Sequence, residues 1–252
     1  MIRKLIIFTC CLIGLMSCNQ ANTQIHVHYK QQVNGYDVTC FLDRGSYCEK
    51  TKAVSGRGFL HFKNEEREFV VENPLFADCN LVDNERSLKN GMTIEVDYTP
   101  FATADTHQPF IRNKSPFFFY DIDFDGTEEL IVCLWEGMDY KGHHAYRAYK
   151  MNVSTYQFSP MQEAPFNELN DYTEFDTINK TISIPQGVGV KMGGKKVYGL
   201  VDGSFALIER VEYDWEHTKG VKYEPCSPTI YHYKIVDGTE ILDRTERCPN
   251  DK

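Results

Sequence analysis

The chain contains no C-x-x-C pair and no Cys/His spacing of the zinc-site kind, which argues against a zinc cluster. G-x-S-x-G, H-E-x-x-H and a glycine-rich loop leading into a helix are also missing, so the familiar serine-hydrolase, zinc-protease and phosphate-cradle signatures are absent. Gly187-Val188-Gly189 and Gly193-Gly194 lie among strand-like runs and read as turns. Positive charge is in short supply: 27 Lys and Arg stand against 36 Asp and Glu, for a net charge of -9. A surface this acidic repels phosphate backbones, so no nucleic-acid partner is expected. Paired acids such as Glu65-Glu66 and Glu128-Glu129 are adjacent, and on strands neighbours point to opposite faces, which makes them poor glycosidase pairs. No enzymatic activity is read from the sequence. Low-complexity tracts, strict repeats and long helical periods are missing too, and the best helix candidate is a short stretch around Asn80–Lys89.

What is present is an ordinary globular composition, 42% hydrophobic and 25% charged, with 15 Tyr and 16 Phe that favour strands. Residues 1–17 carry a basic start (Arg3, Lys4), an apolar run from Leu5 to Met16 and a small Ser17, the pattern of an export signal. The apolar run is too short to span a hydrocarbon core of roughly 30 Å as a helix. Leu15-Met16-Ser17-Cys18 resembles a bacterial lipobox, which makes Cys18 the acylated mature N-terminus and ties the protein to a membrane, expected to be the outer membrane of the cell envelope. Residues 18–24 then form a polar tether, and residues 25–252 a single β-rich domain. Loss of Arg3 and Lys4 with the leader takes the charge from -9 to -11.

With Cys10 and Cys11 lost and Cys18 acylated, Cys40, Cys48, Cys79, Cys133, Cys226 and Cys248 remain. An even count in an exported chain points to disulfides, although six cysteines allow 15 pairings. Short separations suggest Cys40 with Cys48 across a hairpin and Cys226 with Cys248, leaving Cys79 and Cys133.

Short alternating runs separated by turn residues predict an all-β fold of antiparallel meanders, propeller-like or a β-sandwich. The runs are Ile25–Tyr29, Tyr36–Phe41, Gly58–Phe62, Arg67–Glu72, Met92–Tyr98, Phe117–Tyr120, Leu130–Trp135, Tyr146–Val153, Thr181–Pro185, Val197–Val201, Phe205–Tyr213 and Thr229–Val236. Asn34-Gly35, Asn90-Gly91, Asp202-Gly203 and Asp237-Gly238 supply the positive φ that tight hairpins require. His26-x-His28 and His143-His144 are read as solvated histidines rather than metal ligands.

The sharpest motif is Asp121-Ile122-Asp123-Phe124-Asp125-Gly126-Thr127-Glu128-Glu129. Acids at positions 1, 3, 5 and 9 with glycine at 6 let one bent loop aim several hard oxygens at a single point, with the Thr127 carbonyl as a further donor. Ca²⁺, which takes six to eight oxygens in flexible geometry, is the expected ion, with Asp121, Asp123, Asp125, Thr127 and Glu129 as its ligands. An EF-hand needs an acid at position 12, where this chain has Val132, and aromatic residues precede Asp121. The loop therefore joins two strands. The alternative is a solvated acidic turn, in which the acids repel one another with no cation between them.

Phe119–Val132 resembles the calcium-loop hairpin of FG-GAP and VCBS propeller repeats, D-x-D-x-D-G-x-x-[DE]-L. The order that follows is similar to exported bacterial propeller-like proteins related to a periplasmic inhibitor of c-type lysozymes. It runs through Tyr149–Val153 to Phe158, Phe175–Ile182, Tyr198–Gly203 and a closing strand Tyr233–Leu242, so that the resemblance spans roughly residues 58–245. The resemblance implies a calcium-stabilised envelope protein that binds a basic lysozyme, and opposite charge would speed that encounter. The competing expectation is a glycan-binding or adhesion lipoprotein, for which Trp135, Tyr140 and Trp215 are stacking candidates.

Overall fold

The computed structural model describes residues 24–48, 53–78, 91–100, 110, 115–134, 144–152, 154–186, 193–214 and 228–246. Among these residues every regular element is a strand, and the strands form three sheets. The first sheet holds β1 (Ile25–Tyr29), β2 (Asp37–Cys48), β3 (Ala53–Lys63), β4 (Glu68–Asp78) and β5 (Met92–Val96), in the order β4-β3-β2-β1-β5. Only the β1–β5 pair in it is parallel. A middle sheet runs β6 (Phe117–Tyr120), β7 (Glu129–Leu134), β8 (Ala145–Asn152) and β9 (Gln157–Pro160) as a simple meander. The last sheet is a second meander: β10 (Glu174–Asp176), β11 (Thr181–Gln186), β12 (Gly194–Val201), β13 (Ser204–Asp214), β14 (Thr229–Val236) and β15 (Thr239–Glu246).

The turn chemistry works as its residue types require. Asp202-Gly203 joins β12 to β13 and Asp237-Gly238 joins β14 to β15, each with φ near +50° at Asp and above +70° at Gly. Two successive positive φ values define the turn whose twist matches the flanking strands. The predicted runs fall within or across these strands. β9, β10 and β15 had no run of their own, being short or, in β15, exposed throughout. The helix candidate around Asn80–Lys89 lies outside the described residues.

The middle sheet is covered on both faces. Phe117, Leu130, Val132 and Tyr149 pack into a first core with Ile25, Val27, Leu42, Leu60, Phe62 and Phe69 of the first sheet. Their neighbours Phe118, Ile131, Cys133, Tyr146 and Ala148 pack into a second core with Phe110, Phe166, Phe175, Ile182 and Tyr198. Alternate strand residues point to opposite faces, so every residue of β7 is buried and its sequence reads as an unbroken apolar run after Glu129. Side chains also stitch the layers together. The Tyr149 hydroxyl donates to the Glu72 carbonyl at 2.9 Å, and Asn73 Nδ2 donates to the Cys133 carbonyl at 3.2 Å. Among the described residues the first and last sheets share no core cluster, and the fold is an open, sandwich-like arrangement of three sheets.

One cysteine expectation is overturned. Cys40 and Cys48 both lie on β2, eight positions apart along one strand rather than across a hairpin. At roughly 3.3 Å per residue their Cα atoms are about 26 Å apart, far beyond the ~7 Å that a disulfide tolerates. Cys40 is buried in the first core and Cys133 in the second. Cys18, Cys79, Cys226 and Cys248 lie outside the described residues, as do Trp135, Tyr140 and Trp215.

Candidate metal centre

The acidic motif forms the loop between β6 and β7, whose last and first residues, Tyr120 and Glu129, are register partners. Ile122 anchors the loop from within, fully buried in the second core. Phe124 takes a φ of +61°, and its ring packs against Phe205 with centroids 6.1 Å apart. Gly126 bends the chain at φ +89°, where a side chain would be strained.

Each acid uses one oxygen to hold the loop. Asp121 Oδ2 accepts from the Gly126 N–H at 3.0 Å, and Asp123 Oδ1 from the Asp125 N–H at 3.2 Å. Asp125 Oδ1 accepts from the Thr127 N–H at 2.8 Å, and Glu129 Oε2 from the Ile122 N–H at 3.1 Å. Such side-chain to backbone bonds are the local chemistry that makes aspartate a turn former. They also decide which oxygens are left over. Asp121 Oδ1 is enclosed and accepts no hydrogen bond, an arrangement native proteins seldom leave unexplained.

One carboxylate oxygen each from Asp121, Asp123 and Glu129 gathers within 4.8 Å of the others. Oxygens lying on a sphere of the Ca²⁺–oxygen radius, roughly 2.4 Å, are at most about 4.8 Å apart, so this triad can hold a metal ion. Asp125 and Thr127, the other expected ligands, are on the same loop but outside that triad. The Asp125 carboxylate meets Lys150, and Thr127 is seen through its N–H bond to Asp125.

Lys150 on β8 is the residue that reading the motif alone missed. Leu130 pairs with Tyr149, so one more step along the two strands brings Lys150 opposite Glu129. Its ammonium hydrogen-bonds Asp123 Oδ2, sits 2.7 Å from Asp125 Oδ2 and 3.8 Å from Glu129 Oε1. The only sequence signal was a single lysine in the strand that follows the acidic hairpin. Lys150 is raised above the usual lysine value: burial works against this, but hydrogen bonds to Asp123 and Asp125 outweigh it. Hydrogen bonding to Lys150 in turn lowers Asp125. Glu129, 1% exposed, moves the other way, pushed up to about 7 by burial and then by the charge of Asp123.

Beside the loop lies a groove of ≈ 780 Å³ between the middle and last sheets. Phe124, Asp125, Lys150, Met161, Phe166 and Phe205 are among the residues that line it. Among the histidines singled out by the sequence, His28 pairs with Glu95 at 2.7 Å and His26 packs edge-on against Phe41. His144 is part-buried, its backbone N–H bonded to Asp171 Oδ2 at 2.8 Å, and not solvated as expected.

No protein-family model matches the chain, and no curated protein matches it. A solved structure described as that of a Xanthomonas type IV secretion system related protein is similar, with a TM-score of 0.61 and 14% identity. The match covers 87% of this chain and 93% of that one. At this identity the likeness is one of fold, and it extends over all three sheets.

Proposed function

We propose that the chain is a calcium-stabilised binding protein of the bacterial cell envelope, held to the membrane through acylated Cys18, with the groove beside the acidic loop as its recognition surface. The enclosed, unpartnered Oδ1 of Asp121 within a triad of carboxylates carries this reading. A Ca²⁺ ion there neutralises the acids and locks the β6–β7 hairpin, and with it the Phe124 wall of the groove. The partner that best suits a mature charge of -11 is a basic protein, specifically a c-type lysozyme whose cleft the protein blocks.

The test is lysis of a peptidoglycan suspension by lysozyme in the presence of increasing amounts of protein made soluble by Cys18→Ser, with Ca²⁺ or with chelator. Inhibition that depends on Ca²⁺ supports the reading. If charge steers encounter, the association rate falls steeply as salt rises past about 0.15 M, where the Debye length is about 8 Å. Undiminished lysis at large molar excess, with reproducible binding on a glycan array, assigns the protein to carbohydrate binding instead.

A further inference from the structure

We infer that Lys150 is the built-in cation of the acidic loop: its ammonium takes the place of the metal when none is bound, has to leave for Ca²⁺ to enter, and leaves into the groove that it already lines. This rests on the calcium reading above and concerns how that site is controlled.

The argument comes from which oxygens remain. Backbone N–H groups occupy Asp121 Oδ2, Asp123 Oδ1 and Glu129 Oε2. The oxygens left to a metal are therefore Asp121 Oδ1, Asp123 Oδ2 and Glu129 Oε1. Two of these three are the oxygens that face the Lys150 ammonium, one in direct hydrogen bond and the other at 3.8 Å. A divalent ion bound to the same oxygens stands within a few ångströms of that ammonium, and two cations so close repel strongly where water is scarce. The lysine has somewhere to go. Its side chain is 42% exposed, and it lines the groove together with Lys180, which rests against the Phe124 carbonyl at 3.4 Å. A flexible four-carbon stem swings with little hindrance.

Two consequences follow from one movement. Without metal, Lys150 offsets part of the repulsion among the acids and holds the hairpin together, so the loop does not collapse when Ca²⁺ is withdrawn. With metal, the groove wall exchanges acids tied up by an internal lysine for acids tied up by calcium and gains a mobile ammonium. Calcium loading thus changes the charge presented to a partner, and the competition sets the Ca²⁺ concentration at which this happens.

The experiment measures Ca²⁺ binding by calorimetry on the wild-type protein and on Lys150→Met and Lys150→Arg, beside the rate at which an amine-acylating ester labels Lys150 in the wild type with and without Ca²⁺. Lys150→Met keeps the aliphatic stem and removes the competitor. Its dissociation constant for Ca²⁺ is expected to fall about tenfold or more, while its melting temperature in chelator drops below wild type. Lys150→Arg, which keeps the charge, is expected to bind no more tightly than wild type. Labelling of Lys150 rises several-fold on adding Ca²⁺, and that of Lys180 stays level. Binding by Lys150→Met with none by wild type also supports the inference. Equal affinity in Lys150→Met and wild type, or labelling that does not rise in Ca²⁺, overturns it and leaves the calcium site standing. Absence of Ca²⁺ binding in all three proteins removes the calcium reading and the inference together.

Discussion

Replacing Glu129 by Gln removes a negative charge from an enclosed position while leaving an oxygen for the Ile122 N–H. The effect on the metal-free protein follows from the carboxyl being pushed up to about 7 from an ordinary 4.5. Between those two values the folded protein holds a proton that the unfolded chain has released. Stability in chelator therefore falls as pH rises through this window and is highest below it. At ~1.4 kcal/mol per tenfold, the gap corresponds to roughly 3 kcal/mol lost by pH 8. Glutamine has no such loss. In chelator at pH 8, Glu129→Gln is expected to be more stable than wild type by up to about 3 kcal/mol, or roughly 6–12 °C in melting temperature. At pH 4 the difference shrinks or reverses. Adding Ca²⁺ closes most of the gap: the wild type gains about 2.7 kcal/mol at 100 times its dissociation constant, and the variant, short of a carboxylate ligand, gains much less. Scanning calorimetry at the two pH values, with chelator and with Ca²⁺, reads all four states. A Glu129→Gln protein that melts below wild type in chelator at pH 8 would show that the buried carboxylate is not a cost to the metal-free fold, and the reasoning fails.

Alanine at Leu130 and at Ile131 should each cost about 2–5 kcal/mol in urea unfolding, because consecutive β7 side chains fill different cores; a strand with one face in water would tolerate one of the two changes. Non-reducing peptide mapping is expected to recover Cys226 bonded to Cys248, closing a loop worth on the order of 2–4 kcal/mol, and no bond between Cys40 and Cys48, which lie eight positions apart on β2. Cys18→Ser should move the mature protein from the membrane fraction to the soluble one; a variant that stays with the membrane as firmly as wild type refutes acylation at that residue.

Local chemistry was legible wherever neighbours in sequence are also neighbours in space. Asp-Gly pairs bend the chain by their own backbone preferences, so the β12–β13 and β14–β15 turns could be read directly. The acidic hairpin was equally plain, since the side chains of Asp121, Asp123 and Asp125 bond backbone groups two to five residues away. Glu128, exposed, lies just before β7, and Glu129, buried, is its first residue. Reading Cys40 and Cys48 as a hairpin pair failed because β2 does not turn at Gly45: β3 pairs with it as far as Cys48, beyond the point where its pairing with β1 ends at Leu42.

The sequence by itself determined that the chain is all-β, where most strands lie, and that one loop concentrates acids in an order suited to a cation. Those properties depend on periods of two residues and on contacts within a single turn. Only the tertiary structure decided what covers the middle sheet: the apolar run of β7 implies burial on both faces but does not say which strands supply the two cores. It alone also brought Lys150 to the carboxylates. Strand register across the β7–β8 pair sets that meeting, and register is a property of the assembled sheet, fixed by which faces are buried rather than by any residue near Lys150 in the chain.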